Sequence, residues 1–342
     1  MFKQALKHYF PESSWTIEEG ASGWNNTTRY VKADGKRWVL RVYETHKDPS
    51  KVRFEHELLL ALNGLELPFR VPQPILATNG QSYVLLEDGT DRLACLFPYI
   101  EGERPQENDP GIAYRLGKAS GRLSVALRGL TVTTPSSYPP YYEMDSAHPQ
   151  AGASKVEAFC VSAPEPFERL REPLSRIGDE LRRFRERLPE LRSLPHQLIH
   201  GDINCSNALA GGKNGREIAA ILDFEFGTWD LRAMEFAVLV AGYMNEEESG
   251  TEAAAIGSCV EPLLKGAGEE IKLERAEASA IPLLVKLRML DVFLHFLGRY
   301  WDGVDGADVL EEQITSVGKG LKSLARADGE LSRLCMRYLF EN

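Results

Sequence analysis

The sequence has few cysteines and no long hydrophobic run. Its five cysteines are scattered and form no CxxC pair, which argues against a disulfide framework or a zinc ribbon and favours a reducing compartment. The N-terminus lacks the apolar core of a secretory signal, and the most apolar later stretch, 236–243, is too short to span a bilayer. We therefore expect a cytoplasmic protein with no membrane partner.

Positive charge is also scarce. The 40 Lys and Arg residues are outnumbered by 50 Asp and Glu residues, so the formal net charge is −10. This balance argues against nucleic acid as a partner, although an acidic surface also serves solubility alone. The 342 residues exceed the size at which one hydrophobic core stops growing, so two lobes are expected, in a monomer or a homodimer.

The first hundred residues predict a small α+β lobe of five strands with one helix. Strand patterns occur at 15–18, 27–32, 37–43, 83–87 and 92–98. Asp34-Gly35 and Asp88-Gly89 are turn signals between neighbouring strands. The segment 49–62 predicts a helix, because its apolar residues recur on one face.

The remainder of the chain predicts a mainly helical region. Helical patterns occur at 112–127, at 167–187 and from 231 onward, and the segment 196–225 has strand–loop–strand character. Residues 131–166 are rich in Pro, Ser and Tyr and predict a long loop. A loop of that length inside a compact domain is usually functional or mobile.

The stretch HGDINCSN at 200–207, followed by LDFEFG at 222–227, carries the chemistry. The D-x4-N spacing, with a later aspartate after an apolar strand, is typical of phosphoryl transfer from ATP. In this pattern Asp202 takes the proton of the acceptor hydroxyl as catalytic base. Asn207 and Asp223 are oxygen ligands for Mg²⁺. His200 is expected to hold the loop through hydrogen bonds to backbone or to Asp223.

These motifs resemble those of the aminoglycoside phosphotransferase and choline kinase-like family, which are relatives of the protein kinases. HGDINCSN resembles the family's catalytic loop, and LDFEFG its metal-binding counterpart of the kinase DFG. Other stretches resemble its nucleotide-covering loop, third strand, following helix and hinge: GASGWNNTTRYV, VLRVY, FEHELLLAL and LFPYIEGE. The resemblance runs through most of the chain.

The resemblance implies a bilobal, protein kinase-like α+β fold with ATP bound between the lobes. It divides the chain into a nucleotide-binding lobe at 1–98, a hinge at 99–102, and a catalytic and substrate-binding lobe at 103–342. The run LRMLDVFLHFLGRYWDG is similar to a helix that lines the acceptor pocket of bacterial type II homoserine kinases.

The resemblance also implies residues that bind the nucleotide. Arg41 stands where protein kinases place a phosphate-binding lysine, and choline kinase-like relatives also carry arginine there. Its partner on the helix is Glu55 or Glu57, and the alignment favours Glu55. Two further sets are loop residues that approach the phosphates, Ser22 and Asn26, and hinge residues whose backbone binds adenine, Pro98, Tyr99 and Ile100.

A polar stripe in the C-terminal region is a candidate acceptor site. Its members recur at helical spacing: Arg288, Asp291, His295 and Arg299. Such a stripe is usually a solvated face. If it faces the site instead, Asp291 could bind an amine and an arginine could bind a carboxylate, which would suit homoserine or another amino alcohol ahead of an aminoglycoside. Glu235 and Asp230 are expected to brace the catalytic loop or cap a helix.

The sequence therefore predicts a small-molecule kinase that uses ATP and Mg²⁺. The alternative is a catalytically silent kinase-fold binding or regulatory module. Its signature would be the loss of Asp202, Asn207 or Asp223, and all three are present. A protein kinase is disfavoured because no activation segment ending in APE follows LDFEFG.

Overall fold

The computed structural model describes residues 2–12, 14–20, 26–44, 48–136, 138–146, 148–212, 217–244 and 256–340. The chain forms two compact units. The first comprises Met1–Arg104, Gly129–Ser137 and Asn207–Phe226. The second comprises Pro105–Arg128, Tyr138–Ser206 and Gly227–Asn342. The first unit thus extends past the predicted lobe at 1–98 and includes two segments from later in the chain.

The first unit is built on a five-stranded antiparallel sheet. Its strands are β1 (Trp15–Glu19), β2 (Asn26–Ala33), β3 (Lys36–Tyr43), β4 (Val84–Leu85) and β5 (Leu93–Pro98). They lie in the order β1-β2-β3-β5-β4, and every neighbouring pair is antiparallel. The five predicted strands are confirmed, although β4 is shorter than the predicted 83–87. The predicted α+β fold class is confirmed as well.

The two faces of β3 have different roles. Leu40 and Val42 are fully buried in an apolar cluster that includes residues of α1 (Phe2–Lys7). The sequence did not predict α1, because six residues are too few to show helical periodicity. Arg41 and Tyr43 lie on the opposite face, since side chains alternate along a strand. Both contact α2 (Pro49–Asn63), which is the predicted helix at 49–62 with one further residue.

A second hairpin belongs to the first unit because its backbone pairs with that unit. Its strands are β7 (Ala208–Gly211) and β8 (Glu217–Ile221). The backbone of Arg70 accepts from the N–H of Ile221 at 3.0 Å and donates to the carbonyl of Ala219 at 2.8 Å. Glu103 and Ala210 exchange two further backbone hydrogen bonds. These bridges place the segment that follows the HGD motif with the first unit.

The second unit is mainly helical. Its helices are α3 (Pro110–Arg128), α4 (Ala153–Val161), α5 (Arg171–Leu191), α6 (Met234–Ala241), α7 (Val260–Gly268), α8 (Arg275–Trp301) and α9 (Ala307–Leu339). A short antiparallel pair joins β6 (His196–Ile199) to β9 (Thr228–Leu231). Among the described residues, no helix combines the length and apolar character needed to cross a membrane.

The prediction of a long loop at 131–166 was wrong in part. The segment contains α4 and one turn of 3₁₀ helix at Met144–Ser146. Val156, Phe159 and Cys160 are buried at the i, i+3 and i+4 positions of α4. The ring of Phe159 makes edge contacts with Phe167 and Trp301. This period spans only nine residues, and the surrounding Pro and Ser residues obscured it.

Helices α3 and α7 cross with their backbones in contact, and glycine makes this possible. A β-carbon added to Gly266 would collide with the carbonyl oxygen of Tyr114 on α3. A β-carbon on Gly117 would collide in the same way with the carbonyl oxygen of Leu263 on α7. Backbone atoms of a packed helix cannot move aside as a flexible side chain can.

Replacing Gly266 by alanine should therefore lower the free energy of unfolding by about 1–3 kcal/mol, the usual range for overpacking. Gly329 on α9 is the matched control, because open space surrounds its α-carbon. Gly329→Ala should raise the free energy of unfolding by about 0.5–1 kcal/mol through helix propensity. Urea unfolding of both variants measures the difference. Changes of the same sign in both variants would contradict the close helix crossing.

Candidate functional site

The predicted site residues fall into two sets. The first unit carries Asn26, Arg41, Glu55, Pro98, Tyr99, Ile100, Asn207 and Asp223. The second unit carries His200, Asp202, Arg288, Asp291, His295 and Arg299. Ser22 lies outside the described residues.

In the first unit, Arg41 lies between two carboxylates. Its Nη1 is 3.0 Å from Oε1 of Glu55 and 3.3 Å from Oδ1 of Asp223. Burial lowers the pKa of the guanidinium, but Asp223 and Glu55 outweigh this effect, and the pKa is raised well above its usual value. Arg41 is therefore fully charged, and it joins β3, α2 and the segment after β8.

The structure distinguishes the two candidate glutamates on α2. Glu55 is 2% exposed and contacts Arg41, and the hydroxyl of Tyr43 donates to its other oxygen at 2.7 Å. Glu57 instead accepts hydrogen bonds from the backbone N–H groups of Thr133 and Thr134, at 2.5 and 2.9 Å. Glu55 is thus the partner of Arg41. The sequence did not single out Tyr43, which fixes the second oxygen of that carboxylate.

The predicted metal ligands lie at the open end of the β7–β8 hairpin. The N–H of Leu222 donates to the carbonyl of Asn207 at 2.8 Å, which extends the hairpin by one pair beyond Ala208 and Ile221. Asp223 follows directly, in the left-handed region with φ of 65°. A non-glycine residue there carries strain of about 1–3 kcal/mol. The backbone path therefore places the Asp223 side chain at the cost of local strain.

Two buried oxygens near this hairpin end are suited to a metal ion. Oδ1 of Asn26 accepts no hydrogen bond from the described residues, and Oδ1 of Asp223 accepts none either, although Nη1 of Arg41 lies 3.3 Å from it as an ion-pair neighbour. Asn26, at the start of β2, donates from Nδ2 to Glu225 at 2.7 Å. The described residues form no group of three or more His, Cys, Asp or Glu side chains that could bind a metal alone. A carboxylate and an amide oxygen nevertheless fit Mg²⁺, which usually takes one or two protein ligands and completes its shell with phosphates and water.

The predicted hinge residues end strand β5. The N–H of Tyr99 donates to the carbonyl of Arg37 at 3.1 Å. The guanidinium of Arg37 lies 3.8 Å from the centre of the Tyr99 ring, and Tyr30 contacts that ring edge-on. Pro98 and Ile100 line a cavity together with residues of α2 and the segment after it. The ring of Tyr99 thus packs on the guanidinium of Arg37.

In the second unit, the loop that carries Asp202 is held by buried groups. Glu235, in the first turn of α6, accepts from the N–H of His200 at 2.6 Å and from the N–H of Gly201 at 3.3 Å. The ring Nδ1 of His200 accepts from the N–H of Asp202 at 3.2 Å. Burial raises the pKa of Glu235 to about 7, although both N–H donors lower it. His200 thus bonds to backbone within the loop, and Glu235 accepts from two of the loop's N–H groups.

Asp202 pairs with the polar stripe of α8. Nη2 of Arg288 donates to Oδ1 of Asp202 at 2.7 Å, and its Nη1 lies 3.3 Å from Asp291. Burial raises the pKa of Asp291 to about 6, and the lowering by Arg288 is the smaller effect. The predicted base Asp202, the guanidinium of Arg288 and the carboxylate of Asp291 thus form one contiguous group. The group could bind an amine and a carboxylate at once.

The other two members of the stripe have different surroundings. Arg299 forms a two-point ion pair with Asp305, at 2.5 and 2.9 Å, and both side chains are less than 10% exposed. This pair occupies the guanidinium of Arg299 at the C-terminal end of α8. Burial lowers the pKa of His295 to about 4, so its ring is neutral at pH 7. Of the stripe, Arg288 contacts Asp202, and Asp291 contacts Arg288.

Tyr141 is a site residue that the sequence did not predict. Its hydroxyl donates to the carbonyl of Gly201 at 2.7 Å and accepts from Arg288 at 3.3 Å. Its backbone N–H donates to the buried Asp230 at 2.6 Å. The only sequence signal was its position in the long segment at 131–166, which lacks any motif. Asp230, expected to brace the loop or cap a helix, instead anchors Tyr141.

Comparisons with known proteins agree with this chemistry. A sequence model described as the phosphotransferase enzyme family matches residues 16–270. The chain is 25% identical to the homoserine kinase of Hyphomonas neptunium over 272 residues, which cover 77% of this chain and 75% of that one.

Solved structures show the same fold. An amicoumacin kinase in complex with AMP-PNP and Ca²⁺ aligns with a TM-score of 0.67 and 17% identity over 92% of each chain. A microcompartment-associated aminopropanol kinase aligns with a TM-score of 0.67 and 20% identity over 98% of each chain. The predicted protein kinase-like fold is confirmed by these likenesses. Because the family match covers well over half of its residues, the chain belongs to the phosphotransferase enzyme family and is a small-molecule kinase.

Proposed function

We propose that the protein transfers the γ-phosphoryl group of ATP to a hydroxyl of a small acceptor that carries both an amine and a carboxylate. Homoserine fits this description and ranks first. Acceptors that lack the carboxylate rank below it: other amino-alcohol metabolites, then an aminoglycoside, then choline or ethanolamine. The similarity to a homoserine kinase supports the ranking. The contact of Asp202 with Arg288 is the observation on which the proposal rests.

The acceptor would be recognised by charge. Arg288 offers a planar fork that matches a carboxylate, and Asp291 offers a carboxylate that matches an ammonium group. Both contact each other and lie next to the base Asp202. An acceptor bound there by its two charged groups would have its hydroxyl near Asp202. An aminoglycoside has several amines and no carboxylate, so it would offer Arg288 no anionic group to bind.

The nucleotide would be bound by the residues of the first unit. Arg41, held by Glu55, is the cation that would contact the phosphates. Asn207 and Asp223 would hold Mg²⁺. The buried Oδ1 of Asp223 has Arg41 as an ion-pair neighbour at 3.3 Å but accepts no hydrogen bond from the described residues, which supports this role. The metal ion would supply positive charge that stabilises the transition state.

The proposed reaction forms one bond to the γ-phosphorus and breaks another. The acceptor oxygen forms a bond to the γ-phosphorus, and the bond between that phosphorus and the β–γ bridging oxygen breaks. Asp202 takes the hydroxyl proton as the bond forms, and ADP leaves with the bridging oxygen. Arg288 would keep the carboxylate of Asp202 oriented before the acceptor binds.

A panel of acceptors with purified protein, ATP and Mg²⁺ tests the proposed activity. We expect phosphorylated product with homoserine and a lower kcat/KM with 1-amino-2-propanol, which lacks the carboxylate. Asp202→Asn should lower kcat by about 10²–10⁴, because it removes the base but keeps an acceptor for Arg288. ATP affinity should change little in this variant. Nucleotide binding without turnover on any acceptor would favour the silent binding module instead.

Asp223→Ala tests the metal site separately. The variant should need a higher Mg²⁺ concentration for ATP binding, about tenfold or more, because one anionic ligand is lost. Titration of ATP binding with Mg²⁺, followed by calorimetry, measures the shift. Binding measured without metal is the control and should be weakened less. An unchanged Mg²⁺ titration would rule out Asp223 as a ligand.

A pair of variants on α2 tests the role of Arg41. Glu55→Gln removes the charge that faces Arg41 and should weaken ATP binding by about fivefold to tenfold, because a buried ion pair is broken. Glu57→Gln is the matched control. It removes an equal charge two residues away, from a carboxylate that accepts hydrogen bonds from Thr133 and Thr134. Its ATP affinity should stay within about twofold of the parent. Equal effects in both variants would reject the specific role of Glu55.

A further inference from the structure

Tyr141 contacts three functionally distinct groups within the second unit. Its hydroxyl donates to the carbonyl oxygen of Gly201, the residue before the predicted base. The same hydroxyl accepts from Nη1 of Arg288, whose guanidinium carbon lies 5.7 Å from the centre of the Tyr141 ring. Its backbone N–H donates to Oδ2 of Asp230. One side chain therefore joins the catalytic loop to the arginine of the candidate acceptor site.

The anchor of Tyr141 is rigid. Asp230 is fully buried, and its other oxygen accepts from the N–H of Leu231 at 2.6 Å. The neighbouring Tyr138 is also tied to β9, because its carbonyl accepts from the hydroxyl of Thr228 at 2.6 Å. Tyr138 and Tyr141 are thus both attached to the same strand, β9. The position of the Tyr141 ring follows from the sheet pair of β6 and β9.

Among the described residues, the Tyr141 hydroxyl is the hydrogen-bond donor to the carbonyl of Gly201 in the loop at 200–202. Glu235 binds the N–H groups of His200 and Gly201, and the ring of His200 binds the N–H of Asp202. These contacts fix donors of the loop, whereas Tyr141 fixes the carbonyl of Gly201. Gly201 has φ of 78°, a conformation open to glycine. A peptide plane with such freedom needs partners on both its N–H and its C=O to keep one orientation.

We propose that Tyr141 is a positioning residue for phosphoryl transfer, which fixes the catalytic loop and Arg288 in one arrangement. The proposal rests on the proposed function of Asp202 as base. Arg288 donates to Asp202 and also to the Tyr141 hydroxyl. The same hydroxyl donates to the carbonyl of Gly201, the residue before Asp202. Loss of the hydroxyl would release the peptide plane before Asp202 and one contact of Arg288 together. The base would then be correctly oriented for a smaller fraction of the time.

Tyr141→Phe removes the hydroxyl and keeps the ring and the backbone hydrogen bond. We expect kcat to fall about fivefold to tenfold, because the hydrogen bonds to the Gly201 carbonyl and to Arg288 are both lost, while KM for ATP changes less than about twofold. Tyr142→Phe is the matched control, because the Tyr142 hydroxyl contacts His196 at 2.9 Å and not the loop. Homoserine is the acceptor probe, and Asp202→Asn reports whether turnover depends on the base.

Hydrogen–deuterium exchange tests the positioning without turnover. Peptides that cover residues 200–206 should exchange about fivefold faster in Tyr141→Phe and unchanged in Tyr142→Phe. This measurement separates the two proposals, since absent turnover in the parent protein would overturn only the proposed function. Unchanged exchange in Tyr141→Phe, or equal changes in both variants, would overturn the positioning role. Strictly additive losses of kcat in Tyr141→Phe combined with Arg288→Lys would overturn the link to Arg288.

Discussion

A desolvated arginine shared between two carboxylates organises each set of candidate site residues. Arg41 contacts Glu55 and Asp223, and Arg288 contacts Asp202 and Asp291. Removing a guanidinium from water costs several kcal/mol, and only partners with good geometry offset that cost. Each motif aspartate is therefore held in place by an arginine and is not left to find its position in solvent. The second carboxylate in each group holds the arginine itself.

The same arrangement links ligand binding to these ion pairs. Phosphate groups or an acceptor carboxylate would bring new negative charge to an arginine that already has two carboxylate neighbours. At an effective dielectric constant of about 20, two charges 4 Å apart interact by about 4 kcal/mol. An added anion would therefore change the interaction energy of the arginine with its two carboxylates substantially. Mg²⁺ at Asp223 would reduce the negative charge that Arg41 experiences and free its donors for phosphate. The metal and Arg41 are therefore expected to act together, by the reciprocity that any coupled binding obeys.

The sequence predicted those parts of the molecule that depend on short, regular patterns. The strands of the first sheet and helix α2 followed from periodicity and turn residues. Motif spacing singled out Asp202, Asn207 and Asp223, whose roles stay a prediction. Tyr141 did not, because it reaches Gly201 across 60 residues of sequence from a segment without a motif. Helix α1 and helix α4 are too short to give a clear period. The sequence did not decide between Glu55 and Glu57 as the partner of Arg41. Residues two positions apart lie on different faces of a helix, and the choice requires knowing which face is buried.

The arginine at position 41 has a geometric explanation. Its nearest contact to each carboxylate is through Nη1, which lies 3.0 Å from Glu55 and 3.3 Å from Asp223. A guanidinium has five N–H donors in a planar fork, so contacts at one nitrogen leave its other edge oriented in a fixed direction. A lysine ammonium at the same position would be a point charge, and it would divide three donors among two carboxylates and a phosphate. Arginine can therefore remain anchored by Glu55 while presenting a separate pair of donors to a phosphate, which accounts for a kinase site without the usual lysine.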